Sequence, residues 1–278
     1  MEARPIDVRH LGRERVICCW QVGDVLIDPG PESALGGLVD ALADEPPRAL
    51  LLTHIHLDHA GAAGALVRRW PRLEVYVHER GAPHLADPGA LLESARRLYG
   101  DDLDRLWGQV VPVPEERLRP LRGGESVEGF RVAYTPGHAS HHVAYLDEGS
   151  GRAYVGDVAG ARIEPADIVL PPTPPPDIDL EAWNRSLSLV AQWTPESLGI
   201  THFGVIDHVF DHLATVRDRL AGWATLAREL DAGAFEAHIR GEIAAAADPE
   251  TAAALAQAVP PEQQWLGLDR YWRKRGES

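Results

Sequence analysis

Leu51-Leu52-Thr53-His54-Ile55-His56-Leu57-Asp58-His59 is the stretch on which the fold of this chain turns. The apolar run Ala49 to Leu52 reads as a buried strand. It ends on four metal-capable side chains within six positions. Three imidazoles and a carboxylate are donors suited to zinc, iron or manganese. In a tight turn His54 and His56 can face one way while Asp58 and His59 face another, so one segment can serve two metals.

The same arrangement recurs further along. Phe130 to Tyr134 leads to Thr135-Pro136-Gly137-His138, Ala153-Tyr154-Val155-Gly156 leads to Asp157, and Leu198-Gly199-Ile200-Thr201 leads to His202. Each ligand type sits just past an apolar strand. Strand ends that converge on one edge would build a metal centre from loops on a rigid scaffold.

The remaining pattern is strand-like runs alternating with helices. Val16 to Trp20 and Val25 to Ile27 flank Gly23-Asp24, a hairpin signal. Cys18 and Cys19 then read as buried strand residues and not as a redox pair. Ser33 is placed to cap a helix carrying Leu35, Leu38, Val39 and Leu42, and residues 89–107 read as helical, with Leu91, Leu92, Ala95 and Leu98 on one face. Pro171 to Pro176, five prolines in six residues, must be extended, as a rigid connector or as a pocket wall. Asp179 can cap the next helix, and Leu213, Val216, Leu220, Trp223, Leu226 and Leu230 step along another. Ala-rich helices fill 233–278, and no internal repeat is visible.

With these residues in view, the chain resembles the metallo-beta-lactamase-fold hydrolases over roughly 15–205. The match is to their two-metal branch, typified by the hydroxyacylglutathione hydrolases (glyoxalase II) and similar to the N-acyl homoserine lactonases. Asp28-Pro29-Gly30 resembles the family's Asp-Thr-Gly turn, with proline in place of threonine. The resemblance implies an α+β fold, a four-layer αββα sandwich with a C-terminal helical extension. It places the catalytic domain at 1–210 and the extension, packed on it, at 211–278. His54, His56 and His138 would hold a first metal, and Asp58, His59 and His202 a second, with Asp157 bridging. Asp58 would also have a catalytic part, and Asp28 would support the ligating histidines from beneath.

Two divalent ions per chain are thus expected, zinc first, with iron or manganese as alternatives. A bridging hydroxide would attack a small ester-like substrate, a thioester first. A lactonase of the same fold is the alternative within the class. An iron persulfide dioxygenase with one metal is the alternative outside it, although Asp58, His59 and His202 are all present here. No cysteine stands near the ligands, unlike the single-metal site of the antibiotic-hydrolysing members.

Composition narrows the partners. The 278 residues carry 27 Lys+Arg against 42 Asp+Glu, a net charge of −15. That balance argues against nucleic acid and leaves a small-molecule substrate, with homo-oligomerisation compatible. Two cysteines cannot staple the fold, the opening residues carry charge where a signal peptide is apolar, and no run reaches about 18 apolar residues. A cytoplasmic chain without membrane contact is expected. Lys274 is the sole lysine, a bias that either GC-rich coding or heat adaptation produces.

Other histidines carry weaker readings. His141 and His142 are either contacts near the metals or strand-edge hydrogen-bonding groups. His208, Asp211 and His212 read first as helix-start residues, and His78 and His84 as structural. Arg270, Arg273, Lys274 and Arg275, beside Tyr271 and Trp272, read as the solvated face of a terminal helix and do not align with glutathione-holding residues.

Overall fold

In the computed structural model, which describes residues 3–43 and 45–276, the apolar stretches form twelve strands in two six-stranded sheets. The first holds β1 (Ala3–Asp7), β2 (Cys18–Val22), β3 (Val25–Ile27), β4 (Ala49–Leu51), β5 (Glu74–His78) and β6 (Leu118–Leu121), side by side in that order. The β1–β2–β3 pairs are antiparallel, and β3 to β6 run parallel. The second holds β7 (Ser126–Val127), β8 (Phe130–Tyr134), β9 (Val143–Asp147), β10 (Arg152–Tyr154), β11 (Ser197–Ile200) and β12 (Gly204–Ile206), also in chain order. Its pairs are antiparallel except β10 with β11.

Residue alternation explains how the sheets stack. Adjacent strand residues point to opposite faces, so Cys18 and Cys19 part company on β2. Cys18 joins Trp20, Val25, Ile27, Ala49 and Leu51 against Phe130, Val132, Val143, Tyr145 and Tyr154 of the other sheet. Trp20 meets Tyr154 edge to face, with ring centroids 5.4 Å apart. Cys19, Leu26, Leu50 and Leu52 face outward into the larger cluster, among helical residues such as Leu38 and Leu66. Burial on both faces is why Ala49 to Leu52 is a continuous apolar run. Both cysteines are unpaired and buried, and burial pushes both thiols well above their ordinary pKa.

Helices cover the outer faces: α1 (Leu35–Ala41), α2 (Leu57–Ala60), α3 (Ala63–Arg69), α4 (Ala82–Ala86), α5 (Gly89–Tyr99), α6 (Leu103–Trp107), α7 (Leu180–Gln192), α8 (Val209–Glu229), α9 (Ala232–Ala246), α10 (Pro249–Ala258) and α11 (Pro261–Arg275). The result is the α+β layering of helices on two mixed sheets, with further helices at the C-terminal end. Phe235, Ile239, Leu255 and Leu268 of the last helices join the same apolar cluster as Trp183, Leu187 and Val190 of α7. Asp179, Asp231 and Asp248 cap α7, α9 and α10 by accepting backbone N–H bonds, each worth about 1 kcal/mol.

The structure departs from the sequence pattern at three points. Ser33 is not a helix cap: its hydroxyl donates to the Leu106 carbonyl at 2.6 Å, and a 3-10 turn leads into α1. Residues 89–107 are helical as expected, but in two helices, because Gly100 at φ 55° ends α5 before α6 begins. The strand at Leu198 to Ile200 is followed by one more, since the chain turns back to form β12. Among the described residues, no helix is long and apolar enough to cross a membrane.

Candidate metal centre

Five strand ends deliver the chemistry to one place. β3 ends at Asp28. β4 runs into Thr53 to His56 and then α2, which carries Asp58 and His59. β8 leads to His138, β10 to Asp157 and β11 to His202. Gly137 lets the His138 loop lie against α7: at φ 141° a Cβ there would come within 2.3 Å of the Trp183 Cα. The Trp183 indole N–H in turn donates to the Val158 carbonyl at 2.7 Å, tying α7 to the Asp157 loop.

The structure brings together all seven side chains singled out as ligands. Single donor atoms of His54, His56 and His138 lie within 4.8 Å of one another, as do those of Asp58, His59 and His202. His56 Nδ1 sits 3.0 Å from His54 Nε2 and 2.9 Å from His138 Nε2. Asp157 spans the two groups. Its Oδ1 is 3.1 Å from His59 Nε2 and 3.6 Å from His202 Nε2, while its Oδ2 is 3.5 Å from His138 Nε2. Asp58 Oδ2 lies 3.3 Å from His202 Nε2.

Hydrogen bonds behind the cluster fix which nitrogen each ring presents. His59 Nδ1 donates to Asp28 Oδ2 at 2.8 Å, His138 Nδ1 to the Pro172 carbonyl at 2.9 Å, and His202 Nδ1 to the Val16 carbonyl at 2.7 Å. Each Nε2 is therefore left as a lone-pair donor toward the centre. Asp28, fully buried, also accepts from Thr53 N, Thr53 Oγ1 and Thr201 Oγ1 at 2.7–2.9 Å.

Burial lowers the pKa of His54 and takes His56 down to about 4, so both rings are neutral donors. Burial alone would raise Asp58 and Asp157. The imidazoles of His59 and His202 outweigh it and hold both carboxyls below the usual carboxylate range. His59 Nε2, His202 Nε2 and Asp157 Oδ1 are buried with no hydrogen-bond partner. A buried polar atom without a partner costs roughly 1–3 kcal/mol. Burial alone would lower His59 and His202, but the facing carboxylates of Asp157 and Asp58 raise both rings above the ordinary imidazole pKa. Positive charge is thus favoured between these carboxylates and unpartnered nitrogens, a donor set that fits divalent metal ions.

A cavity of about 970 Å³ opens onto this cluster. Its lining includes His56, Asp58, His141 and Asp157, together with Leu91, Leu98 and Tyr99 of α5 and Pro172 and Pro174 to Pro176. The proline run is thus a pocket wall. Arg270, Arg273 and Lys274 of α11 and Arg97 of α5 also line the cavity, so most of the basic cluster read as a solvated face borders it. Helical spacing marks the apolar side of α11 but carries no signal for what its polar side meets. Arg275 instead bonds Glu181.

The weaker histidine readings divide. His84 lines the large cavity, and His78 stacks on Tyr134 with centroids 4.4 Å apart. His208, Asp211 and His212 line a separate cavity of about 310 Å³, and His212 Nε2 donates to the Ala159 carbonyl at 2.8 Å. Sequence reasoning missed Thr53, Thr201 and the carbonyls of Val16 and Pro172. Two threonines and two backbone oxygens carry no residue-type signal for a metal site.

Residues 23–200 match the metallo-beta-lactamase superfamily. A metallo-beta-lactamase fold-containing protein of Sulfurisphaera tokodaii is 28% identical over 213 residues, covering 73% of this chain and 77% of that one. The crystal structure of the corresponding archaeal protein, from Sulfolobus tokodaii, superposes with a TM-score of 0.71 at 23% identity over 96% of this chain and 98% of that one. A protein crystallised in a di-iron-bound form gives a TM-score of 0.54 at 30% identity, covering 73% and 93%. A hydroxyacylglutathione hydrolase of Xylella fastidiosa is 33% identical over 138 residues, or 48% of this chain and 40% of that enzyme's length.

Proposed function

The chain belongs to the metallo-beta-lactamase superfamily, and from that premise we propose that it is a hydrolase working with two divalent ions, zinc first, on a small ester-like substrate. The observation that carries the reading is Asp157, whose two carboxylate oxygens face different histidine groups. In this reading His54, His56 and His138 would hold one ion and Asp58, His59 and His202 the other, with Asp157 shared between them. When bound, such ions would supply a water acidified toward neutrality and a Lewis acid for the bond under attack. Asp28 keeps His59 and the Thr53 and Thr201 loops in register. Asp58 is assigned a catalytic part besides ligation, because its carboxylate borders the cavity where the substrate lies.

A thioester is the first choice of bond, supported by the partial likeness to a hydroxyacylglutathione hydrolase. Arg97, Arg270, Arg273 and Lys274 support a substrate carrying negative charge away from the reacting carbonyl. The net charge of −15 supports a small molecule over nucleic acid. A lactone is the second choice. Lactonases of this fold present a tyrosine to the site, and Tyr99 lines the cavity while Tyr145 and Tyr154 are buried between the sheets.

The test is one panel on metal-loaded protein, comparing thioester, lactone, phosphodiester and beta-lactam substrates, with metal content measured on the same sample. One iron per chain with oxygen consumption would replace the hydrolase reading by the persulfide dioxygenase one.

A further inference from the structure

Three imidazoles follow β8 in close order, and only His138 joins the ligand cluster. His142 is buried, with Nδ1 2.8 Å from Thr135 Oγ1. His141 lies between these situations. It is 9% exposed and borders the large cavity beside His56, Asp58 and Asp157. Its ring stacks nearly parallel to His54 at 6.2 Å and edge-on to His56 at 5.8 Å.

The tautomer of His141 is set by the turn that carries the ligands. The backbone N–H of Ile55, between His54 and His56, donates to His141 Nδ1 at 3.4 Å. An acceptor Nδ1 leaves the ring proton on Nε2. The nearby Asp177 carboxylate is engaged by the backbone N–H and hydroxyl of Ser140.

We propose that His141 touches the substrate, its Nε2–H donating a hydrogen bond to the acyl oxygen of the ester-like group. The proposal rests on the hydrolase reading above and names a residue of that same site. Charge grows on the acyl oxygen as its carbon becomes tetrahedral, and a fixed donor stabilises that charge with no reorganisation. A neutral donor does so without adding a cation beside the metals. No proton is transferred; Nε2 keeps its hydrogen throughout. Rotation of the ring to withdraw the donor would break the bond from Ile55.

Three variants test this in the metal-loaded enzyme, on whichever ester-type substrate the panel selects. Gln sets an amide donor near the place of Nε2, Asn sets polar atoms only near Nδ1, and Phe keeps the ring alone. His141→Phe and His141→Asn are expected to lose on the order of 100-fold in kcat with KM nearly unchanged. His141→Gln is expected to recover about tenfold of that loss, with full metal content in all three. Nitrogen-15 NMR of histidine-labelled enzyme, with His141→Gln supplying the assignment, is expected to show the Nε2–H tautomer at pH 6–8.

The donor role is overturned if His141→Phe keeps kcat within about threefold. It is equally overturned if Gln is no better than Asn, if the variants lose metal, or if the ring carries its proton on Nδ1. A wild-type enzyme that hydrolyses no ester-type substrate removes the hydrolase reading itself and the donor role with it. An active wild type with an unaffected Phe variant removes the donor role alone.

Discussion

Asp28 Oδ2 lies 2.8 Å from His59 Nδ1, and the same carboxylate holds the Thr53 and Thr201 loops. One buried side chain thus sets the tautomer of a metal-type histidine and spaces two strand ends. Asp28→Asn puts an amide N–H₂ against donors on at least one side. We expect metal affinity to fall by about 10–100-fold. Competition with a chromophoric chelator measures this, and an affinity equal to wild type would remove Asp28 from the supporting role.

Asp157 and His54 are expected to be indispensable for a different reason. Asp157 is 3% exposed and reaches both histidine groups, and His54 is fully buried among the clustered imidazoles. Asp157→Ala and His54→Ala should reduce turnover of any working substrate to background and lower the metal stoichiometry. Full activity in either variant would sink the site assignment.

How far the sequence led can be judged from these same residues. The clustering of His54 to His59 was legible because these side chains are local, and the place of Asp157 because an acid just past a buried strand is conspicuous. The two-sheet layering came from the resemblance and not from periodicity, since alternation assigns faces to a strand but not strands to a sheet. β12 and the Gly100 break were missed because both depend on short turns. The cavity border on α11 was illegible for a further reason. Arg270 and Lys274 come next to the site through tertiary docking, far from His54 in sequence.

That border predicts charge selectivity. Arg273 and Lys274 line the cavity without being metal-type donors. Arg273→Gln combined with Lys274→Gln should raise KM for an anionic thioester roughly three- to tenfold, as expected for exposed charges worth 0.2–1 kcal/mol each. KM for a neutral ester and kcat for both should hold. Equal effects on both substrates would show that the pair acts through folding and not through charge.

Gly137 links the core to the site. A Cβ there would meet the Trp183 backbone within 2.4 Å, so Gly137→Ala must displace either α7 or the His138 loop. We expect destabilisation of several kcal/mol, as overpacking and backbone strain together give, with metal lost from the His138 side first. Denaturant unfolding and metal analysis read the two effects. A stable variant with full metal would mean the loop relaxes freely.

α11 is fastened to α7 by a titratable contact. Glu181 accepts from the Tyr271 hydroxyl at 2.8 Å and pairs with Arg275. Burial alone would raise the Glu181 carboxyl, but the Arg275 guanidinium and the Tyr271 hydroxyl together hold it down to about 2, against an ordinary 4.5. A depressed carboxyl stabilises the fold fully above its unfolded pKa and loses that contribution as pH falls through its folded one. The window is therefore roughly pH 4.5 down to 2. The Glu181 side chain is 51% exposed, so screening keeps the effect under about 1 kcal/mol. Glu181→Gln should be slightly less stable than wild type at pH 7, with the gap narrowing as pH falls below 4.5. Because α11 carries Arg270, Arg273 and Lys274 to the cavity, the same substitution should raise KM for anionic substrates at pH 7. A stability gap that widens on acidification would reverse the sign worked out here and reject Glu181 as the fastening.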